Sequence, residues 1–562
     1  MRTAKTLLGL VALGLGASTA SGQTQDVPTL GTLIRQNDTI IGLGSLQGMS
    51  WMGLNDSKTW AALCSTSIGD ATIDGCILMN GYVTLREGGL LFAPPNTLLD
   101  EWNSVWLSNS GNLGMLIKTK STTGSTFRDG AFWNLTPVAM RDDVVSAPPF
   151  PPPPAVPADW DTFAVIKLNA RNQMFILGEI VSPLTTRAKE KSLVRYDLDA
   201  SGHILTTTVL ATEGMAVPVA GLTLKGSSCL PNTEHSLGIN DRGDVMTWVQ
   251  QDSPAVSAVV INMTTLVAKT GNRSPDVNGD PNGAVWRSFA LTKTTINERG
   301  EYAFTGAIGD TASPDSYLVV KNGAKFAQST DFIPSLNSQL GNGTNAPIYI
   351  GNNGDLFWHA RSLTSGGDAF MRNMDPIVRA GETLIDGQLV TAINGAENSF
   401  AISPSGRFWA ANLTLQSSGQ SIAFADFGLM LEIPACFNRG KLEPAGGSAR
   451  VGKSFQLSMD KGQAPGALPA VFFSRNSNLT PSGCGVVVPP YGEFMVRPPV
   501  FGVKLLTPWD GSNPSVMDPL TIPPSKIALV DSVFFAQGMF LANGNPERFR
   551  MTNLVRLEIG AP

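Results

Sequence analysis

The sequence predicts an all-β fold, and three observations support this prediction. One short turn pattern recurs seven times between residues 54 and 410. Each copy is followed by further short apolar runs, separated by turn-forming residues. Only 15% of the 562 residues are charged, and the chain contains 58 Gly and 38 Pro, whereas ordinary globular chains carry about 25% charged residues. Low charge with many turn formers is typical of a β-rich, secreted protein.

The repeated pattern predicts a hairpin. Each copy places an Ile or Leu, an Asn or small substitute, two variable residues, a Gly or substitute, and an apolar residue two positions further on. The Asn side chain can bond its own backbone, and Gly permits a positive φ angle. Two strands joined by a tight turn should result. The assigned turn residues are Asn55, Gly111, Asn172, Asn240, Gly243, Asn297, Gly300, Gly354 and Gly406. Lys58 takes the Gly position of the first copy, so a differently built turn stays open there.

The spacing of the copies predicts the architecture. Further strand-like runs follow each turn, as in residues 316–321 and 324–328, which flank Asn322-Gly323, and Asn-Gly is the strongest short hairpin signal. Four strands in a unit of about 50 residues form the blade of a β-propeller. Seven copies therefore predict a seven-bladed β-propeller over residues 23–433, although six or eight blades remain possible. Residues 32–35 and 39–41 are expected to complete the last blade.

Two further features lie within the repeats. Aromatic residues recur just after the turn, and we expect them to be buried in the core rather than to stack on sugars; they are Trp248, Phe304, Trp358 and Trp409. Residues 148–157 are rich in Pro and predict an exposed polyproline loop inserted in the ring.

The repeat pattern stops after Ile433. Short apolar runs bounded by Pro and Gly follow, and the predicted strands include residues 454–457, 470–473, 486–488, 527–530, 533–537 and 554–559. About 125 residues of this kind predict a small β-sandwich over residues 434–562.

The first residues have the form of a signal peptide. Arg2 and Lys5 precede the apolar run of residues 7–15, and Ser18-Thr19-Ala20 supplies small residues at a plausible cleavage site. Cleavage is expected after about residue 22, and the mature protein is expected to be secreted or held at the cell surface. The rest of the sequence lacks the roughly 20 consecutive apolar residues that a transmembrane helix needs. The net charge is −5, which argues against nucleic acid and anionic membranes as partners.

The five Cys residues predict disulfides. Because export places the chain in an oxidising compartment, bridges Cys64–Cys76 and Cys436–Cys484 are the favoured pairing, with Cys229 left over. Other pairings stay open. Zinc is a poorer alternative, since the three His residues are scattered and no two Cys lie close in sequence.

The repeats resemble a known family. Tandem Ile-Asn-x-x-Gly units, clearest at residues 239–248 and 296–304, are similar to those of the bacterial secreted "NxxGxxxxF" tandem-repeat proteins. The resemblance covers about residues 30–430 and implies export and a propeller-like repeat fold, without assigning catalytic residues. Many such proteins end in a sorting anchor, whereas this chain ends in a β-rich module similar to those that end other secreted bacterial proteins.

The search for catalytic or metal-binding residues assigns none. Asp276, Asn278 and Asp280 alternate as in a calcium loop, but Pro281 and Arg287 stand where such a loop needs Gly and Glu. Glu234-His235 and the pair His359 and Arg361 could meet at the channel mouth as acid and base, although no spacing rule requires it. The sequence therefore predicts no cofactor.

The function favoured by the sequence is that of a non-catalytic exported protein, whose loops bind polysaccharide or an envelope protein. A carbohydrate-active hydrolase or lyase on the same scaffold is the main alternative, and a structural surface-layer component is the second. Acidic side chains gathered in one central pocket would favour the enzyme, while an exposed aromatic stripe would favour glycan binding and a broad apolar patch would favour assembly.

Overall fold

A computed structural model of the chain describes most of residues 29–562. The described part excludes residues 71, 92–95, 124–126, 146–157, 182–188, 227, 276–283, 291, 310–315, 342–346, 364–366, 397, 434, 437, 439, 461–467, 481–483, 489–491, 507–513 and 542–549. The predicted signal peptide, the Pro-rich loop and the calcium-like loop at residues 276–280 lie outside it. No helix of the described part is long and apolar enough to span a bilayer.

The all-β prediction is confirmed, because the described helices are four short 3₁₀ segments: Pro218–Ala220, Glu234–Ser236, Pro334–Leu336 and Pro524–Leu529. The repeats form seven antiparallel sheets within the described residues. Sheet 1 contains Thr39–Ile40, Gly44–Leu54, Trp60–Thr66, Gly75–Met79 and Tyr82–Arg86; sheet 2 contains Leu90–Leu91, Thr97–Leu107, Leu113–Ser121, Phe127–Trp133 and Thr136–Met140; sheet 3 contains Val144–Val145, Ala158–Leu168, Gln173–Val181, Lys189–Leu198 and Ile204–Thr212. Sheet 4 contains Leu237–Ile239, Val245–Asp252, Ala255–Ile261 and Thr265–Lys269; sheet 5 contains Val285–Ser288, Thr294–Ile296, Tyr302–Gly309, Ser316–Lys321 and Ala324–Gln328; sheet 6 contains Tyr349–Ile350, Leu356–Ala360, Ala369–Arg372 and Asp375–Arg379. Sheet 7 contains Gly31–Arg35, Leu384–Ile385, Gln388–Ile393, Phe400–Ile402, Phe408–Leu415 and Gly419–Asp426.

The seventh sheet is completed by the beginning of the described chain. Gly31–Arg35 pairs antiparallel with Gly419–Asp426, as expected for residues 32–35. The same expectation for residues 39–41 is wrong, because Thr39–Ile40 pairs instead with the start of Gly44–Leu54 in sheet 1.

Hydrophobic cores lie between consecutive sheets. Trp51 of sheet 1 packs with Val105 of sheet 2, and each later sheet shares a core with the next one. Ile34, Phe408 and other sheet 7 residues pack with sheet 1, so the arrangement closes on itself and is propeller-like. The four recurring aromatic residues are buried in these cores, as expected: Trp248, Phe304, Trp358 and Trp409.

The seven repeat turns share one geometry. The residue at the Gly position has a positive φ in every copy: Lys58, Gly111, Asn172, Gly243, Gly300, Gly354 and Gly406. Its backbone N–H donates to the carbonyl of the Asn position three residues earlier, at 3.1 Å in the first copy. Lys58 has a φ of 63°, so the alternative of a different first turn is wrong. The hydrogen bonds of its own turn, from the N–H of Lys58 to the Asn55 carbonyl and from the N–H of Thr59 to Asn55 Oδ1, hold Lys58 in a conformation that Gly adopts without strain.

Two sheets and a separate hairpin make up the C-terminal part. Sheet 8 contains Leu429–Ile433, Arg550–Glu558, Val533–Leu541, Leu468–Ser477 and Val496–Leu505; sheet 9 contains Lys441–Gly447, Ser454–Asp460, Ser515–Val516 and Leu520–Thr521. The hairpin joins Val486–Val488 to Gly492–Phe494, and two further short hairpins, Ala216–Val217 with Leu222–Thr223 and Phe332–Ile333 with Ser338–Gln339, lie among the repeats. Sheets 8 and 9 share one hydrophobic core.

Two local predictions for this part are wrong. Leu429–Ile433 was expected to belong with the repeats, but it pairs with Arg550–Glu558 in sheet 8. Residues 527–530 were expected to form a strand, but Pro524–Leu529 is a 3₁₀ helix, because Pro523 and Pro524 remove the donors that a ladder needs.

One of the two expected disulfides is present. Cys436 and Cys484 are bonded, whereas Cys64 and Cys76 lie opposite each other on adjacent strands as free, buried thiols. Burial raises the pKa of Cys76 to about 11 and raises that of Cys64 further. Burial disfavours the thiolate, which is the reactive form, and the predicted Cys64–Cys76 bridge is absent from the structure. Cys229 is also free and buried.

Candidate functional site

The repeat turns bind one another around the ring. At four of the seven junctions, the first variable residue of a turn donates its backbone N–H to the side chain at the same position of the next turn, as Asp56 does to Asn109 Oδ1 at 2.9 Å and Glu298 to Asn352 Oδ1 at 2.9 Å. The second and third turns are joined by Asn112 Nδ2, which donates to Asn172 Oδ1 at 3.0 Å, and the sixth and seventh by the N–H of Asn352, which donates to the carbonyl of Pro404 at 2.8 Å. Ser405 of the seventh turn donates its N–H to Asp56 Oδ1 at 2.9 Å. This bond joins the last repeat to the first, so the turns form a closed polar ring.

The Asn residues of the pattern stabilise the ring in two ways. Asn240 Oδ1 accepts the N–H of Asp244 at 2.9 Å, which pins its own turn. Its Nδ2 donates to the carbonyl of Asn297 in the next repeat at 2.9 Å. Asn169 and Asn297 make the equivalent bonds to the repeats that follow them. The Asn preference therefore has a structural cause that extends beyond its own hairpin.

The ring surrounds a cavity of about 130 Å³, which we call the axial cavity. All seven repeats line it, each through the strand that leads into its repeat turn or through the turn itself: residues 51–54, 106–109, 168–169, 239–241, 295–298, 349–350 with 352, and 401–402 with 404. Trp51, Trp106 and Tyr349 supply aromatic surface, of which Trp106 and Tyr349 are half-buried. Amides and carboxylates of the turns supply polar groups. Such a mixture of apolar walls and a few placed polar groups is typical of a small-molecule site.

Two carboxylates of neighbouring repeats line the axial cavity. Asp241 Oδ1 accepts the N–H of Ala170 at 2.6 Å, and Glu298 Oε1 accepts the N–H of Asp241. Burial raises the pKa of Asp241, and the charge of Asp56 adds to this. Burial also raises the pKa of Glu298. Each carboxylate therefore accepts a hydrogen bond of the ring of turns with one oxygen, and its other oxygen takes no part in that bond.

A group of buried and half-buried polar side chains lies on strands Thr97–Leu107, Ala158–Leu168 and Tyr349–Ile350 and on the segments just before Leu237–Ile239 and Phe400–Ile402; we call it the polar plug. It consists of Ser104, Lys167, Glu234, His235, Tyr349 and Asn398. The Lys167 ammonium lies 3.7 Å from the ring centroid of Trp106, in a cation–π contact. Ser104 Oγ donates to Glu234 Oε1. These contacts connect different repeats across the ring.

The electrostatics of the polar plug follow from its burial. Burial lowers the pKa of Lys167 to about 7, and the charge of Glu234 only partly offsets this. Burial lowers the pKa of His235 well below its usual value, and Lys167 adds to the effect. Burial raises the pKa of Tyr349. At neutral pH His235 is therefore uncharged, and its Nε2 donates to Asn398 Oδ1 at 2.6 Å.

Comparison with known proteins identifies no relative. No protein-family model and no curated protein matches the sequence. Similar solved structures include an alpha-L-arabinanase of Penicillium chrysogenum complexed with arabinobiose, with 13% identity over 71% of this chain and 98% of that chain and a TM-score of 0.27. Prolyl oligopeptidase B of Galerina marginata matches with 9% identity over 75% of this chain and 56% of that chain, at a TM-score of 0.34. Sucrose-6-phosphate hydrolase of Lactobacillus gasseri matches with 8% identity over 94% and 92%, at a TM-score of 0.20. Similarity at this level assigns neither fold nor function.

The structure separates the residues that the sequence grouped as acid and base. Glu234 and His235 do lie in the polar plug, beside residues of other repeats. His359 lies in the second strand of sheet 6 and approaches Asp368 at 3.7 Å, and Arg361 is exposed. Sequence analysis missed Lys167 altogether, although a Lys between Ile166 and Leu168 of a buried strand is a usable signal.

Proposed function

We propose that this chain is an exported, non-catalytic binding protein, built as a seven-bladed β-propeller followed by a β-sandwich, and that the axial cavity binds polysaccharide. The observation that carries the proposal is the convergence of all seven repeats on one cavity with aromatic walls and polar turns. The closure of sheet 7 by Gly31–Arg35 supports the blade count. The core shared by sheets 8 and 9 supports the sandwich. The signal-like N-terminus and the resemblance to exported tandem-repeat proteins support export.

The chemistry of the axial cavity suits a sugar. A sugar ring has a flat face of C–H groups that packs on aromatic rings, and Trp106 and Tyr349 offer such surface. Its hydroxyl groups both donate and accept hydrogen bonds, and Asn352, Asp241 and Glu298 are placed at the turns to complement them. An envelope protein is the alternative partner for the same loops.

Hydrolysis is the second candidate function, and the two neighbouring carboxylates favour it. Glycoside hydrolysis requires a protonated and an ionised carboxyl group on opposite sides of the bond, and a raised pKa is expected of the acid. Asp241 and Glu298 have raised pKa values. However, each also accepts a backbone N–H of the preceding repeat, which favours a structural role in the ring. Binding without cleavage is therefore our leading proposal.

The decisive experiment measures retention and cleavage together. The purified protein is applied to an array of polysaccharides, and released reducing ends are assayed in the same wells. We expect retention without product. Product that disappears in Asp241→Asn and Glu298→Gln, but persists in the exposed control Asp518→Asn, would establish the hydrolase. Neither retention nor product would overturn the polysaccharide proposal and direct attention to a protein partner.

A further inference from the structure

A second concave surface lies between the repeats and the C-terminal part, and we call it the interdomain groove. Its volume is about 800 Å³. One wall comes from sheet 6 and its first turn, through Asn353, Asp355, Arg372 and Asn373. The other wall comes from sheet 9 and its loops, including residues 444–449 and Gln456. Several planar polar side chains and backbone groups thus face one open groove.

The interdomain groove adjoins the axial cavity at the turn of the sixth repeat. Asn352 lines the axial cavity, and Asn353, the next residue, lines the groove. The turn is tight, because Gly354 donates its N–H to the carbonyl of Gly351 at 2.8 Å. Asn353 Nδ2 also donates to Asp355 Oδ2 at 2.8 Å, which fixes the side of the turn that faces the groove. Consecutive Cα atoms are about 3.8 Å apart, so only a single turn separates the two sites.

We propose that a neutral polysaccharide chain lies across this turn, with one sugar in the axial cavity and the following sugars in the interdomain groove. The inference rests on the proposed function and extends it from a single-sugar cavity to a chain-binding surface. A monosaccharide occupies one of the two sites at a time, whereas an oligosaccharide gains the contacts of both without a second loss of translational freedom.

The charges of the two sites favour a neutral chain. Arg372 Nε donates to Asp355 Oδ2 at 2.7 Å, and its guanidinium lies 4.6 Å from the ring centroid of Phe427. Arg372 is therefore already neutralised by Asp355 and held flat against an aromatic ring. The axial cavity adds the carboxylates of Asp241 and Glu298. An anionic sugar would meet these like charges, while hydroxyl groups could bond the amides and carboxylates alike.

The test compares chain lengths by calorimetric titration of the full-length mature protein. The probes are cellohexaose, xylohexaose and mannohexaose, each paired with its monosaccharide, and a hexamer of galacturonic acid as the anionic comparison. We expect at least one neutral hexasaccharide to bind tenfold or more tightly than its monosaccharide, and the galacturonate hexamer to bind more weakly than that hexasaccharide.

Two variants test whether the interdomain groove supplies the added affinity of the hexasaccharide over the monosaccharide. Ala445 is exposed and lines the groove, so Ala445→Trp should abolish the advantage of the hexasaccharide and leave monosaccharide binding unchanged. Gln456→Ala removes a groove side chain without adding bulk and should reduce the same advantage. Ala324→Trp, at an exposed position of sheet 5 outside both sites, is the matched control and should have no effect.

The outcomes distinguish the two proposals. Hexasaccharide binding that is unaffected by both groove variants would overturn this inference and leave the axial cavity as the binding site. Tighter binding of the galacturonate hexamer than of every neutral hexasaccharide would overturn the neutral class. Binding of none of the probes would overturn the inference together with the proposed function.

Discussion

The guanidinium of Arg407 binds the carboxylate of Asp426 through two hydrogen bonds of 3.0 Å each. Arg407 directly precedes strand Phe408–Leu415 of sheet 7, Asp426 ends strand Gly419–Asp426 of the same sheet, and both residues are buried. The same guanidinium also bonds Glu558 of sheet 8 at 3.0 Å and Asp531 at 2.6 Å. One side chain of the last repeat therefore fixes the C-terminal part against the ring, and this contact positions the second wall of the interdomain groove.

Replacing Arg407 by Ala should destabilise the protein strongly. Asp426 would keep its negative charge in a buried position without its bidentate partner, and breaking a buried ion pair in this way costs about 3–5 kcal/mol. The half-buried Glu558 would keep Arg556 as its counter-charge. Urea unfolding followed by circular dichroism measures the change in free energy of unfolding. Arg407→Lys should recover only part of it, because an ammonium cannot make the bidentate contact. The control is Arg86→Ala, on the exposed edge of sheet 1, and a loss no larger than the control's would contradict the assigned role.

The repeat turns were predictable from the sequence, whereas the polar plug was not. Gly and Asn at fixed positions carry a local signal, since few other residues adopt a positive φ without strain. Even Lys58 takes this conformation, held by the hydrogen bonds that Asn55 accepts within the same turn. Lys167 and Glu234 meet only when sheets 3 and 4 pack side by side, and no local pattern records that distance. The partners of Arg407 lie 124 and 151 residues away in sequence, so that contact was equally unpredictable.

Removing the side chain of Asn240 should weaken the ring of turns. Asn240→Ala deletes the acceptor of the Asp244 N–H, in partly buried surroundings, and the donor to the Asn297 carbonyl, in buried surroundings. Leaving buried backbone groups unsatisfied costs about 1–3 kcal/mol each, so a loss of about 2–4 kcal/mol is expected in chemical unfolding. The exposed Asn272→Ala is the control. Equal stability of the two variants would show that the Asn position serves only its own hairpin.

Thiol chemistry should divide the five Cys residues into two classes. Cys64, Cys76 and Cys229 are buried and free, so the folded protein should resist a thiol reagent such as 5,5′-dithiobis(2-nitrobenzoate), and denaturation without reductant should release three thiols. One reactive thiol after denaturation would instead show that Cys64 and Cys76 are bridged.

Loss of the Cys436–Cys484 disulfide should destabilise the C-terminal part of the chain. Cys436 and Cys484 are 48 residues apart in sequence, and closing a loop of this length stabilises a fold by about 4 kcal/mol in the chain-entropy model. The double variant Cys436→Ser/Cys484→Ser should therefore lose stability in urea unfolding. Cys229→Ser, which removes a free thiol, is the comparison that separates loss of the bridge from loss of a sulfur atom. A smaller loss in the double variant than in Cys229→Ser would contradict the expected contribution of the bridge.

Lys167 should make stability rise with pH above neutrality. Its pKa is lowered by burial to about 7 in the folded protein, while an unfolded Lys has a pKa of about 10.4. Between these values the unfolded chain binds more protons, so the free energy of unfolding increases with pH, by at most about 1.4 kcal/mol per pH unit. Below pH 7 both states are protonated and the penalty of burying the charge is complete.

The comparison of wild type with Lys167→Met isolates this group. The buried thiols act in the opposite direction, because their raised pKa values keep them protonated while the unfolded chain ionises, and their contribution cancels in the difference. The groups around Lys167, namely Glu234, His235, Lys293 and Tyr349, are present in both proteins. Between pH 7.5 and 9.5 the wild type should gain about 2–3 kcal/mol over the variant in urea unfolding. A difference that does not change with pH would show that Lys167 remains charged beside Trp106 throughout this range.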